Sequence, residues 1–400
     1  MPLMKSGVKM RGQPTIQARA ISKCFWVRVM WPVFIMPLRG LVIAAILTAM
    51  NQHYDPGKKH HTPDGFQNVN TPFQPKGLAE VLRWKINAAR KGLPPPPREP
   101  IPQVAADLAL LHANARAGAA MQPNVTWIGH ATALAQLGGL TLLTDPIFPD
   151  RASPIGFAGP RRHQPPGIAV ADLPHVDLVL VSHNHYDHLD EASVRALNAQ
   201  AGGPPLFVVP LGLKAWLASH GIANAVELDW WQGHKLAAPA GEVEVMVVPA
   251  QHWSARGLND RMNTLWGGFA VFASDCHLFF AGDTGYSRDF RDMRERFAHR
   301  QSLAAGGGFD IAFLPLGAYE PRWFMVTQHV NVDEAIKIHI DLGAKRSLGV
   351  HWGTFELTDE ALDEPPRVLA GKRAAQGLRD DEFFVMAIGQ TRPINRREPT

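Results

Sequence analysis

Residues 183 to 188 read His-Asn-His-Tyr-Asp-His, which sets three imidazoles and a carboxylate within six positions. Neutral imidazoles and carboxylates are the donors Zn²⁺ takes, and Fe or Mn accept the same set. His183 and His185 are two apart, so on an extended loop they project the same way. Asp187 and His188 are adjacent and can serve a second ion. His252, Asp283 and His351 each follow a short apolar run further along. Two cations about 3.5–4 Å apart need a bridging carboxylate, and Asp283 is the candidate for it. The chain has 18 histidines, so His252 or His351 alone would read as a core or surface residue. The 183–188 cluster, set between a strand and a helix, reads as metal-binding. Two such ions would lower the pKa of a bridging water and yield hydroxide near neutral pH, which is hydrolytic chemistry.

The elements that must position these donors can be read from apolar runs. Val176 to Val181 ends just before the cluster, Val243 to Val248 near His252, Leu278 to Phe280 near Asp283, and Ser347 to Val350 at His351. Four strands thus deliver ligands at their carboxyl ends, where a rigid sheet holds them yet leaves them accessible. Val125 to Ile128, Ala133 to Leu137, Leu140 to Leu143, Leu206 to Pro210, Phe269 to Phe272 and Ile311 to Leu314 complete the strands, with Gly138-Gly139 as a turn. Residues 191–200 and 333–342 read as helices, with Asp333 and Glu334 in the first turn of the latter. Strands alternating with helices predict an α/β layered sandwich over residues 122–392, followed by a tail, 393–400. Residues 55–121 form an extension: a polar stretch, a helix over 78–91 of period 3.6, and a strap held out of helix by Pro94 to Pro97, Pro100 and Pro102.

Charge is unevenly spread. The net charge is +4, but the first 54 residues hold seven Lys or Arg and no Asp or Glu, leaving 33 basic against 36 acidic residues in the rest. A slightly acidic body gives no basic face, so no nucleic-acid partner is expected. Two cysteines, Cys24 and Cys276, exclude a disulfide framework and a cysteine-rich zinc site. Residues 1–54 read as a signal or membrane anchor. The apolar runs 29–38 and 40–50 are each too short to span a bilayer, and Met36 with Gly40 to Met50 resembles a signal's charged and apolar regions, or marks an alternative start.

Other residues carry a functional and a plain reading. His130 is a support for the ligands or a packed histidine. Tyr186 points a hydroxyl at substrate or packs. Arg322 binds phosphate or pairs with Glu320, and Arg161 and Arg162 read as a solvated turn. Asp145, before Pro146, is otherwise an Asx turn.

The motif His183-x-His185-x-Asp187-His188, with His252, Asp283 and His351, resembles the metallo-β-lactamase fold, an αββα four-layer sandwich. The likeness is more specific. Trp127 to Thr132, Thr144 to Phe148, His183 to Asp190, Gln251 to Trp253, Phe280 to Tyr286, Gly317 to Met325 and His351 to Phe355 resemble the N-acyl-phosphatidylethanolamine-hydrolysing phospholipase D family, over residues 55 to 392. The resemblance implies two zinc ions. One would take His183, His185 and His252, the other Asp187, His188 and His351, with Asp283 bridging. It also implies that Asp145 orients the metal histidines and that Gln328 and His329 lie by the active site, where His329 could contact phosphate or protonate the leaving group. Asp187 could orient the hydroxide while it ligates.

The implied activity is phosphodiester hydrolysis of a phospholipid, releasing phosphatidic acid and an N-acylethanolamine at a membrane surface. A lactonase, another small-molecule phosphodiesterase or a nuclease of the same fold shares the metal site, and a non-catalytic membrane-associated module is a further alternative. A basic apolar N-terminus suits membrane association, anchored through residues 29–50 and facing either the periplasm or the cytoplasm. A homo-oligomer is compatible with all of this.

Overall fold

The computed structural model describes residues 51–397, apart from Leu258. Most of the anchor reading, including residues 29–50, lies outside the described residues. Among them no helix is long and apolar enough to cross a membrane.

The extension opens with a small hairpin, β1 (His61–Thr62) and β2 (Gly65–Phe66), followed by α1 (Leu78–Lys91) and α2 (Leu108–Ala115). Capping fixes α1: Glu80 reaches back to the Gly77 N–H, and Gly92 closes the helix in the left-handed region at φ 64. The described residues form one compact unit, so the extension packs as part of the body.

The first half contributes β3 (Asn124–Gly129), β4 (Thr132–Leu137), β5 (Leu140–Thr144), β6 (Leu178–Leu180), α3 (Glu191–Asn198), β7 (Leu206–Pro210), α4 (Leu213–Ser219) and β8 (Ala225–Leu228). The second contributes β9 (Gly233–Ala238), β10 (Gly241–Val248), β11 (Gly268–Phe272), β12 (His277–Phe280), α5 (Asp289–Arg296), β13 (Ile311–Pro315), α6 (Arg322–Met325), α7 (Val332–Leu342), β14 (Ser347–Val350), α8 (Glu364–Ala375) and β15 (Phe383–Phe384). The last strand, β16 (Thr391–Pro393), returns to the first half, so the end of the expected domain, with Pro393 of the expected tail, completes a sheet edge.

The strands form two seven-stranded sheets, ordered β16-β3-β4-β5-β6-β7-β8 and β15-β14-β13-β12-β11-β10-β9. In the order given, the first sheet runs from three antiparallel pairings into three parallel ones, and the second from three parallel pairings into three antiparallel ones. Strand periodicity explains how the first sheet is buried. Trp127, Leu142, Leu178, Leu180 and Val208 point into a core shared with Val245, Val247, Leu278 and Phe280 of the other sheet. The alternate residues Leu134, Leu143, Val179, Val181 and Phe207 pack with Leu111 of α2, Val194 and Leu197 of α3, and Leu213 and Leu217 of α4. Burial on both faces is why these runs are nearly continuously apolar. On the other side Phe290 and Met293 of α5, Ile336 and Leu342 of α7, and Leu369 of α8 cover the second sheet. The result is the expected αββα order.

Candidate metal centre

Beyond β6 the chain runs through Val181 and Ser182 into the cluster, and then into α3, which Asp190 caps by accepting from the Ser193 N–H at 2.7 Å. The loop is not extended. The N–H groups of His188 and Leu189 both donate to the His185 carbonyl, closing a tight turn. That turn separates the donors into two sets. His183 Nε2 lies 2.8 Å from His185 Nδ1, which lies 3.3 Å from His252 Nε2. On the other side His188 Nε2 lies 3.3 Å from Asp187 and 3.1 Å from Asp283, and His351 Nε2 lies 3.4 Å and 3.2 Å from the same carboxylates. A tetrahedral zinc with ligands at 2.0–2.1 Å has donor–donor edges of about 3.3 Å. The second set matches that edge, the first approaches it with one pair at 3.3 Å and one closer, and Asp283 Oδ1 is buried without a hydrogen bond. The residues present therefore fit two ions with Asp283 between them.

The hydrogen bonds fix which ring nitrogen is free. Asp145 accepts from the Ser182 N–H at 2.7 Å, from the Ser182 hydroxyl at 2.6 Å and from His188 Nδ1 at 2.6 Å. The Ser182 oxygen, its proton given to Asp145, accepts from His183 Nδ1 at 2.9 Å. His252 Nδ1 donates to the Gln328 carbonyl at 2.9 Å. Each arrangement fixes a proton on Nδ1 and aims Nε2 at the site, as the nitrogen that a cation would take. His130 Nε2 donates to Asp187 at 3.0 Å, and its own carbonyl accepts the His351 N–H at 2.9 Å. His130, Asp145 and His351 all hold positive φ, at 54°, 30° and 61°. Such backbone costs about 1–3 kcal/mol each and concentrates at functional sites.

The electrostatics follow from burying imidazoles beside carboxylates. Burial lowers the His183 pKa, brings His185 down to about 3 and His252 to about 4. Burial also opposes charge on His188 and His351, but Asp283 and Asp187 outweigh it, holding His188 well above its ordinary value and His351 at about 9. Burial works against ionisation of Asp187 and Asp283, and neighbouring His188 overrides it, keeping both well below the usual carboxylate range. The second set of donors is a concentrated negative site that holds protons until a cation replaces them.

His329 completes the wall. Its Nδ1 is buried without a hydrogen bond, 3.8 Å from Asp283. Gln328 acts through its carbonyl on His252, while its amide donates to Met325 Sδ at 3.1 Å. Two sequence readings change here. The Arg322 guanidinium is committed to the His329 carbonyl at 2.8 Å and to Glu334 at 2.8 Å, so it braces the His329 loop and is not open to phosphate. Its partner is Glu334, and Glu320 instead accepts the Arg322 N–H. The Tyr186 hydroxyl donates to the Arg256 carbonyl at 2.9 Å, and the Arg256 guanidinium stacks on its ring while bonding the Asn184 and Leu189 carbonyls. Tyr186 thus braces the metal loop.

Three contributors escaped the sequence reading. Ser182 relays Asp145 to His183. Trp253 packs its ring edge-on to His185, centroids 4.4 Å apart. Asn68, in the extension, clamps the main chain of His252: its amide donates to the His252 carbonyl at 2.8 Å and accepts the His252 N–H at 3.1 Å. His252-Trp253 could have drawn attention to Trp253, but no local pattern marks Asn68.

A second buried group, His60, His61 and Asp229, is satisfied without a cation. Asp229 accepts from Lys58 at 2.7 Å, His60 at 2.7 Å and His61 at 3.0 Å. His61 Nδ1 already accepts the Asp55 N–H, so its Nε2 keeps its proton. This cluster staples the extension to the turn after β8.

Comparison with known proteins agrees with this geometry. Residues 141–352 match the family described as a beta-lactamase superfamily domain. N-acyl-phosphatidylethanolamine-hydrolyzing phospholipase D 1 of Caenorhabditis elegans is 39% identical over 276 residues, covering 66% of this chain and 74% of that one. The mitochondrial N-acyl-phosphatidylethanolamine-hydrolyzing phospholipase D of Saccharomyces cerevisiae is 37% identical over 268 residues, covering 66% of this chain and 55% of that one. A metallo hydrolase from the archaeon Ignicoccus hospitalis shares the fold, with TM-score 0.50, 18% identity, and 68% and 98% of the two chains covered. The chain therefore belongs to the metallo-β-lactamase superfamily and is a metal-dependent hydrolase similar to N-acyl-phosphatidylethanolamine-hydrolysing phospholipases D.

Proposed function

We propose that the chain is a zinc-dependent phosphodiesterase of phospholipase D type acting on N-acyl-phosphatidylethanolamine-like lipids at a membrane surface. The observation that carries this reading is the 39% identity, over 276 residues, to a relative named for that activity. The complete set of donors for two ions supports it.

His183, His185 and His252 would hold one ion, and Asp187, His188 and His351 the other, with Asp283 shared. Bound zinc supplies Lewis acidity toward phosphoryl oxygens and lowers the pKa of water. Around it the protein's own groups divide the work. Asp187, held by His130, accepts a hydrogen bond from the attacking water and fixes its direction. His329 is buried and its pKa is driven down by that burial, so it enters as a neutral imidazole. One ring nitrogen donates to the phosphate and the other accepts. After taking a proton released by the water, His329 can return it to the ethanolamine oxygen as the P–O bond breaks. The water oxygen stays on phosphorus, giving phosphatidic acid, and the N-acylethanolamine leaves as an alcohol.

The test is incubation of purified, zinc-loaded protein with N-acyl-phosphatidylethanolamine vesicles, with both products identified by mass spectrometry. Turnover confined to lactones or carboxylic esters would end the lipid reading.

A further inference from the structure

Helix α1 wears its apolar residues on the outside. Leu78, Leu82 and Ile86 recur every four positions, so they form one stripe along the helix. They are 75%, 52% and 49% exposed, although Trp84 and Ala88 on the adjoining face are buried. The buried face packs on α6, with the Trp84 and Phe324 rings 4.9 Å apart and Met325 in the same cluster. Next to it Trp323 of α6 and Val326, which follows the helix, are 40% and 45% exposed. Val326 precedes His329 by three residues, so this apolar face reaches within about 11 Å of chain from the catalytic wall.

Charge selects what covers the stripe. Placed at 100° per residue, Arg83 and Arg90 lie on one flank and Lys85 on the other. The one acid of the helix, Glu80, is turned away to cap Gly77. The Arg83 guanidinium lies 4.1 Å over the Trp323 ring and stays exposed. An apolar stripe flanked by cations, ending in an exposed Trp, is the pattern of a helix lying in a bilayer interface. The chain's own apolar segment, residues 29–50, is a poor occupant, since it carries Arg39 and follows six further basic residues with no acid to pair with Arg83, Lys85 and Arg90.

We propose that α1 and the exposed edge of α6 dock on an anionic phospholipid bilayer, with Leu78, Leu82 and Ile86 among the acyl chains and Arg83, Lys85 and Arg90 at the headgroups. The docked face delivers lipid toward His329. The proposal rests on the lipid reading above, but its principal test does not depend on turnover.

In the full-length chain carrying Cys24→Ser, Cys276 is buried, and Leu82→Cys accepts an environment-sensitive fluorophore. A matched label at Glu295→Cys, exposed on α5, is the control. With phosphatidylcholine vesicles containing phosphatidylglycerol, the label at 82 moves to the blue and nitroxide lipids quench it, while the label at 295 does neither. Pure phosphatidylcholine gives the weaker response. Leu82→Glu lowers kcat/KM on N-acyl-phosphatidylethanolamine in those vesicles roughly tenfold, the worth of one large apolar side chain withdrawn from the interface, and leaves a monomeric short-chain substrate unaffected. A label at 82 that stays in water while the protein sediments with vesicles overturns the proposal. So does a blue shift that needs only higher protein concentration, which would mean a second copy covers the face. Docking by the label without hydrolysis of the lipid would uphold the docking face and sink the substrate reading.

Discussion

Asn68 lies outside the matched family region, yet its side chain holds both main-chain polar groups of the ligand His252. Asn68→Ala removes both bonds. Each is worth about 0.5–1.5 kcal/mol net, so about 2 kcal/mol is lost from the placement of that one ligand. If the loss appears as metal affinity, about 2 kcal/mol is close to a 30-fold weaker site, since each 1.4 kcal/mol is tenfold. That lies inside the 10–100-fold range found when groups behind a ligand are removed. The loss should be confined to the ion bound by His183, His185 and His252, because the other set is oriented by Asp145 and His130. Competition against a chromophoric chelator resolves the two affinities. Asn68→Asp keeps the acceptor for the His252 N–H and loses the donor, so it should fall between wild type and alanine. Equal weakening of both ions, or wild-type affinity with only a lower melting temperature, would show that Asn68 merely stabilises the extension.

Four further outcomes follow from the same geometry. Asp187→Asn should abolish lipid turnover while circular dichroism and thermal melting stay near wild type; retained activity would refute its role. Gly282→Ala should cost roughly 2–5 kcal/mol by chemical denaturation and weaken metal binding, because φ is +60° there and a Cβ would sit 2.6 Å from the Ser182 Cβ. Asp229→Ala should cost about 3–5 kcal/mol, since it strands Lys58, His60 and His61. Burial opposes ionisation of Asp229, but His60 and Lys58 prevail and depress its pKa; the stability it contributes is therefore present above the unfolded value near 4, and is lost as pH falls through the lower folded value. The difference between wild type and Asp229→Ala in urea melts should accordingly narrow in acid and not in base. Metal-free protein keeps His351 protonated below about 9, so zinc binding at pH 7 should release protons, seen as a calorimetric heat that scales with buffer ionisation enthalpy.

The convergent donors of the proposed metal site were legible in the sequence because their chemistry is carried by side-chain type, and the strands before them because burial on both faces leaves long apolar runs. What was not legible depends on distance or on edges. Strand β9, Gly-His-Lys-Leu-Ala-Ala, lies at a sheet edge and alternates in exposure, so no apolar run announces it. Residues 183–188 suggested an extended loop, whereas the two N–H bonds to the His185 carbonyl make a turn. Asn68 and His252 are 184 residues apart, and Ser182 looks like any serine after a strand. Arg322 offered a cation near a proposed phosphate; only the fold reveals that Glu334, twelve residues on, had already taken it.

The matching succession of pairings in the two sheets has a consequence for how the molecule is assembled. Equivalent strand ends carry matching residues: His130 follows β3 as His252 follows β10, and Asp145 follows β5 as Asp283 follows β12. The two halves thus place corresponding residues alike and use them differently: Asp145 accepts from His188 Nδ1, while Asp283 faces His188 Nε2. Neither half would enclose an ion by itself in the proposed arrangement, where His183 and His185 need His252, and Asp187 and His188 need Asp283 and His351. Cut in the connection between β8 and β9, the protein would become two fragments, each with half of every coordination sphere. The apolar core that the two sheets share and the pairing of β16 with β3 would hold such fragments together, and zinc bound at the proposed site would tighten the pair, so chelation would weaken their association.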